Sequence, residues 1–231
     1  MSKLYKKQLE SFDRQQRYAL NAAFEILKAM PETKFDQTVE VAFKLGVDAK
    51  KSDQSVRGAI PLPKGTGKAV RIAVVASGSQ AEEATEAGAE FVGSDDLVEK
   101  LKGGWLDFDV LIATPDAMKM IRPLGRILGP RGLMPNPKTG TVTDAVGNAV
   151  REAKAGRVEF RTDRGACVHV PIGKISFTAA DLRENFDAVY HALAKAKPTT
   201  AKGTYFVSCT ISATMSPGIR IDIAQLARLE S

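Results

Sequence analysis

The chain has 231 residues and 44% hydrophobic content, enough for one large or two ordinary packed cores and too apolar for a disordered chain. Lys and Arg number 33 against 27 Asp and Glu, a net charge of +6 and a sequence pI near 9.3, which fits a nucleic-acid partner without requiring one. Two cysteines, Cys167 and Cys209, are too few for a disulfide framework; the start lacks the apolar core of a signal peptide and no run nears the about 18 apolar residues of a membrane span, so a cytoplasmic protein with no membrane role is expected.

From the N-terminus, Ala19, Ala22, Ala23, Ile26, Leu27 and Met30 recur at helical spacing and predict an amphipathic helix ending before Pro31. Val39, Val41 and Phe43 alternate with Thr38, Glu40 and Lys44, a half-buried strand closed near Gly46. Lys50 to Gly58 reads as a polar, basic loop. The style then changes. Val70 to Ala76, the region of Phe91, and Val110 to Ala113 are short apolar strands, separated by helices through Ala81 to Ala87 and from Asp95. Apolar strands alternating with helices indicate a parallel sheet covered on both faces. A helix after Asp116 runs into Gly-Pro-Arg-Gly-Leu-Met-Pro-Asn-Pro-Lys, residues 129–138, and another through Ala145 to Ala155 stops at Gly156. Beyond Gly156 the earlier style returns: strands at Val158 and Phe160 and at Ala166 to Ile172, then a helix opened by a Thr178/Asp181 capping box with Leu182, Phe186, Val189, Leu193 and Ala196 on its buried side. Tyr205 to Ala213 and Gly218 to Ile223 are the last strands.

These styles divide the chain into a discontinuous α+β domain, residues 1–65 and 158–231, and an inserted α/β domain, residues 66–157. Gly65, Gly67 and Gly156 sit at the two crossings and suit a double hinge. Charge follows the same partition: residues 66–157 hold 12 basic and 12 acidic side chains, leaving 21 basic and 15 acidic in the ends.

The 129–138 run, with three prolines and two glycines, is expected to be neither helix nor strand but a shaped, solvent-facing loop. Lys119, Arg122, Arg126, Arg131 and Lys138 make this region basic, and no acid stands between Asp116 and Asp144. A polyanion partner and a plain solvated interdomain loop both fit. Gly65-Thr-Gly-Lys68 fails as a phosphate loop, because Leu62 and Ala69 stand where glycine and a hydroxyl residue are needed. Gly78 alone makes no dinucleotide fingerprint. Cys167, His169, His191 and Cys209 lack ligand spacing, and no nucleophile turn or catalytic constellation is visible, so no metal, cofactor or catalytic residue is expected. Two clusters remain in the basic ends: Lys34, Phe35 and Thr38 at the start of the first strand, and Ser208, Ser212, Thr214, Met215 and Ser216 on and after the late strand. Hydroxyls, a lysine and an apolar platform suit folded RNA, whose 2′-hydroxyls, phosphates and base faces they can meet. On composition alone, a place in the core is the better reading for Phe35 and Met215.

Several long motifs stand in order along the chain. They are Lys51-Ser-Asp-Gln-Ser-Val-Arg-Gly58, Leu62-Pro-Lys-Gly-Thr-Gly-Lys68, Asp109 to Met118, the 129–138 run, Ile172-Gly-Lys174 and Thr214-Met-Ser-Pro-Gly218. From about Leu20 to Asp222 the chain strongly resembles the L-one family of large-subunit ribosomal proteins, the bacterial stalk proteins. The resemblance implies a split RNA-binding domain with an inserted Rossmann-like domain. It also implies binding to the mobile stalk of the large-subunit ribosomal RNA beside the exit site, help in releasing deacylated transfer RNA, and repression of its own operon messenger RNA. Such a protein is ribosome-associated, monomeric when free, and no enzyme. The family's RNA contacts map onto Lys34, Phe35, Thr38, Ser208, Thr214 and Met215, with Arg57, Arg131 and Lys138 as possible additions. The family usually has glycine where Ser216 stands here, so that hydroxymethyl either adds a bond or displaces one. The first 19 residues match the family poorly. Rival readings are a nucleotide- or phosphometabolite-binding α/β enzyme and a DNA-binding regulator using the 129–138 loop.

Overall fold

The computed structural model describes residues 3–31 and 33–226, apart from the side chains of residues 52 and 138. Contacts divide it into two units, one running to Gly67 and resuming at Val158, the other spanning Lys68–Arg157.

In the first unit, α1 (Lys3–Glu10) and α2 (Leu20–Ala29) precede β1 (Thr38–Leu45). After the crossings follow β7 (Cys167–Lys174), α8 (Ala179–Lys195), β8 (Phe206–Ala213), β9 (Ile219–Ile221) and α9 (Ile223–Leu226). The four long-range strands form one antiparallel sheet in the order β7-β1-β8-β9. Period-two alternation sets its two faces. Val39, Val41, Phe43 and Leu45 of β1 point inward with Val168, Val170 and Ile172 of β7 and Cys209, Ile211 and Ala213 of β8, all buried. Leu20, Phe24 and Leu27 of α2, and Leu182, Phe186, Val189 and Leu193 of α8, cover that face. Phe43 lies 5.7 Å from Phe186 and 5.6 Å from Phe206 between ring centroids, and Tyr190 stacks on Phe206 at 4.7 Å. Cutting the fully buried Phe43 to alanine would cost about 3–5 kcal/mol.

Local chemistry starts α8 as its sequence implies. The Thr178 hydroxyl accepts from the Asp181 N–H at 3.1 Å, and the Asp181 carboxylate accepts from the Thr178 N–H at 3.4 Å. A second, two-stranded sheet joins β2 (Arg57–Pro61) to β6 (Arg157–Arg161). Here the expected loop through Gly58 is corrected: residues 57–61 are a strand. Four half-buried residues and an exposed closing proline lack alternation, and their partner strand lies about 100 positions along the chain.

The second unit has β3 (Ile72–Val75), α3 (Ser79–Glu86), β4 (Phe91–Gly93), α4 (Asp95–Lys102), β5 (Val110–Ala113), α5 (Met118–Ile121), α6 (Gly125–Leu128) and α7 (Val146–Lys154). Its parallel sheet runs β4-β3-β5. Ala73 and Val75 pack on one side with Leu97, Leu101 and Leu111, whereas Ile72 and Val74 pack on the other with Ile112, Val146 and Val150. Both faces are dry, which is why these strands read as unbroken apolar runs.

The 129–138 run also differs from expectation. Helical turns continue through it as a 3-10 turn at Gly129–Arg131 and another at Pro137–Thr139, because proline blocks the α ladder yet permits single turns. Nor is it wholly solvent-facing. Pro135 is buried and Leu133 and Met134 are half-buried against the unit's own core.

Candidate RNA-binding surface

The outer face of the four-stranded sheet is polar. Register places Ser208 opposite Lys44, Thr210 opposite Ala42, and Ser212 opposite Glu40, with Arg220 of β9 beyond Thr210. Ser208, Glu40 and Arg220 are exposed, and Thr210 and Ser212 half-buried. An antiparallel sheet with one dry face presents such a polar face to its surroundings. It forms a row of hydroxyls edged by cations, with one carboxylate in the middle.

At the end of this row, hydrogen bonds join the two segments that the sequence kept 176 residues apart. The Thr38 N–H donates to Thr214 Oγ1 at 3.1 Å, and the Thr214 N–H donates to the Thr38 carbonyl at 3.1 Å. The Met215 N–H donates to Gln37 Oε1 at 2.8 Å, and Gln37 is buried. These bonds continue the ladder one step past the strand end. They also fix where the two apolar side chains go: Phe35 is 52% and Met215 50% exposed. The core alternative for both is corrected. Inward positions are already filled by Val39 and Ala213, and the buried Gln37 occupies the intervening place with its amide oxygen bonded by the Met215 N–H.

The hydroxyls retain capacity for an outside partner. Thr38 Oγ1 accepts from Lys174 Nζ at 2.9 Å, leaving its own proton to donate. A bulge in the β1–β7 pairing at Val39/Glu40 precedes the Lys174 position, the kind of local twist that re-aims a side chain. Lys34 is exposed. Asp36, also exposed, is held by Ser176, whose hydroxyl donates to it at 2.7 Å. Ser216 turns its hydroxyl back on its own chain, accepting from the Ala213 N–H at 2.8 Å. Its backbone has no positive φ, so serine sits there without strain and stiffens the Met215 turn.

Other expected residues belong to other elements. Arg57 is half-buried in the two-stranded sheet, and Arg131 is exposed in the second unit. The Lys138 side chain lies outside the described residues. Gly65, Gly67 and Gly156 all take positive φ, at 69°, 70° and 95°, a requirement for glycine. Gly65 is pinned: its carbonyl accepts from the Asn185 amide at 2.9 Å, which also holds the Lys64 N–H and the Ile172 carbonyl. The reading from sequence missed Gln37, Thr210, Arg220 and Asn185. Only Thr210 carried a signal, as the period-two residue between Ser208 and Ser212.

Burial pushes the Cys209 thiol far up, so it is a packed side chain and no nucleophile. Among the described residues, no group of three or more His, Cys, Asp or Glu is placed to hold a metal, and no helix is long and apolar enough to cross a membrane.

The chain matches known proteins over most of its length. Residues 27–217 match the ribosomal protein L1p/L10e family. The chain is 56% identical over 218 residues to the large ribosomal subunit protein uL1 of Chlamydia pneumoniae, covering 94% of each. It is 54% identical over 220 residues to that of Chlamydia trachomatis serovar L2b, covering 95% of each. The enzyme alternative is thereby set aside. The chain belongs to the L1p/L10e family of ribosomal proteins, as a structural, RNA-binding and non-enzymatic constituent of the large subunit of the cytoplasmic ribosome.

Proposed function

We propose that the surface formed by Lys34, Phe35, Thr38, Ser208, Thr214, Met215 and Ser216 binds the mobile stalk of the large-subunit ribosomal RNA beside the exit site. The single observation behind this reading is the pair of half-exposed apolar side chains, Phe35 and Met215, on backbone held by four hydrogen bonds at the end of a hydroxyl row. A preformed platform loses little entropy on binding. Phe35 and Met215 pack on sugar or base faces, Ser208 and the threonines exchange hydrogen bonds with 2′-hydroxyls, and Lys34 and Lys174 supply counter-charge. Glu40 repels phosphate from the middle of the sheet and so selects a shape over charge alone.

In the same reading the inserted unit turns about the crossings at Gly67 and Gly156, with Gly65 anchored on the first unit, so that the stalk assists release of deacylated transfer RNA. Binding of the same platform to a mimic in its own operon messenger RNA represses translation. Arg57, Arg131 and Lys138 are secondary contacts.

Filter binding of a stalk RNA fragment tests the site. Thr214→Val and Met215→Ala should each weaken specific binding by about 1–3 kcal/mol. Unchanged affinity in both would remove the assignment.

A further inference from the structure

Beside Phe35 the first unit holds a groove of about 580 Å³, within the range of about 300–1,000 Å³ of ligand-binding clefts. Leu27, Met30, Phe35, Ile175 and Ala213 give it apolar walls, and Lys28 and Lys34 stand among its lining residues. Gln8 of α1 also lines it and is fully buried. The Gln8 amide nitrogen donates to the Pro31 carbonyl at 3.3 Å, which fixes which end of the amide is which. Gln8 Oε1 then has no hydrogen-bonding partner within the protein. A buried, unpaired carbonyl is costly and calls for a donor. Apart from Lys34, several polar groups around the groove are committed: Asp36 to Ser176, Lys28 Nζ to the Phe177 carbonyl, the Thr33 hydroxyl to the Phe35 carbonyl, and the Gln37 amide oxygen to Met215.

We infer that this groove takes one unstacked nucleobase of the bound RNA, entering edge-first so that an exocyclic amino group donates to Gln8 Oε1. The inference rests on the RNA-binding reading and extends it. A groove with apolar walls and one unpaired acceptor on a lining residue matches the edge of adenine, cytosine or guanine. Uracil has no amino group to offer. Phe35 supplies the ring against which a splayed base stacks, and exposed Lys34 at the rim lies where the attached phosphate would pass. Single-stranded loops and bulges supply such bases at small unstacking cost. The groove also gives a task to α1, which precedes the stretch that the family model matches: it carries base readout, whereas the sheet end reads shape.

The test uses the full-length protein and a stalk RNA fragment in which each unpaired base in turn loses its amino group, adenine to purine, guanine to hypoxanthine, cytosine to 2-pyrimidinone. One position should lose about tenfold in affinity with the wild-type protein. The same substitution should be nearly silent with Gln8→Leu, which itself binds unmodified RNA about tenfold more weakly. The base-analogue series on wild-type protein stands whether or not the variant folds fully. Equal losses in both proteins, or no sensitive position in RNA that still binds tightly, would overturn the base slot and leave the platform intact. Failure of the unmodified fragment to bind wild-type protein would overturn the platform and the slot together.

Discussion

The interaction that most directly shapes the platform is the hydrogen bond from the Met215 N–H to buried Gln37 Oε1 at 2.8 Å. Gln37→Met keeps the length and shape of the side chain and deletes the acceptor. The part-buried Met215 N–H is then left without its partner, a loss of about 1–3 kcal/mol in folding stability. Restored apolar packing at position 37 offsets a fraction of this, so about 1–2 kcal/mol is expected net, read as a lower urea midpoint at unchanged slope. Freed from the ladder, the Met215 turn must be reordered on binding, and RNA affinity should fall by about fivefold to thirtyfold, equivalent to about 1–2 kcal/mol. Met215→Ala removes a half-exposed side chain and should leave stability within about 0.5 kcal/mol while still weakening RNA binding. Urea unfolding followed by filter binding separates these outcomes. If Gln37→Met is as stable as wild type and binds RNA equally well, the pinned-turn argument fails.

Other consequences can be checked in the same protein. Affinity should fall with salt only shallowly, each neutralised phosphate adding about 0.7–0.9 to the slope of log K against log salt; a slope near that of ten phosphates would mean charge dominates. Glu40→Gln should raise affinity for unrelated RNA more than for stalk RNA, and the reverse ratio in filter binding would assign Glu40 a direct contact. Tyr205 is buried, donates to the Leu193 carbonyl at 3.0 Å, and has its pKa pushed up to about 12 by desolvation. The unfolded chain ionises first, at about 10, so the Tyr205 share of stability is intact below pH 10 and is lost as pH rises from there to about 12. Tyr205→Phe should therefore show a smaller alkaline loss than wild type in pH-dependent urea melts, and parallel curves would contradict it. Gly67 has φ of 70°, and a Cβ there would lie 2.8 Å from the Phe177 ring and 2.9 Å from the Lys174 side chain; Gly67→Ala should lower stability by about 1–3 kcal/mol, and an unchanged urea midpoint would refute it.

Much of the fold is legible in the chain because its cause is local. Val39, Val41 and Phe43 alternate because β1 has one dry face, and Ile72–Val75 do not because β3 has two. Thr178 and Asp181 announce α8 through bonds spanning three residues. What stayed hidden is fixed by distant partners. Arg57–Pro61 becomes a strand only through β6. Gln37 is buried because a backbone N–H 178 positions later needs it, and nothing around Gln37 signals that. Gln8 and the groove beside it are equally silent, since their lining comes from α1, α2, β7's end and the β8 turn. Phe35 and Met215 are the sharpest case: apolar residues default to the interior, and only the family resemblance pointed outward. In the 129–138 run, glycine and proline forecast broken structure correctly, yet the half-buried Leu133 and Met134 depend on a core assembled elsewhere in the unit.

The central claim is that two segments far apart in the chain make one RNA platform. Backbone amide chemical shifts of isotope-labelled protein, recorded with and without a stalk RNA fragment, test it most directly. The largest changes should fall on residues 34–38 and 208–216 together. Changes confined to the second unit around Arg131, with those two segments unmoved, would contradict it.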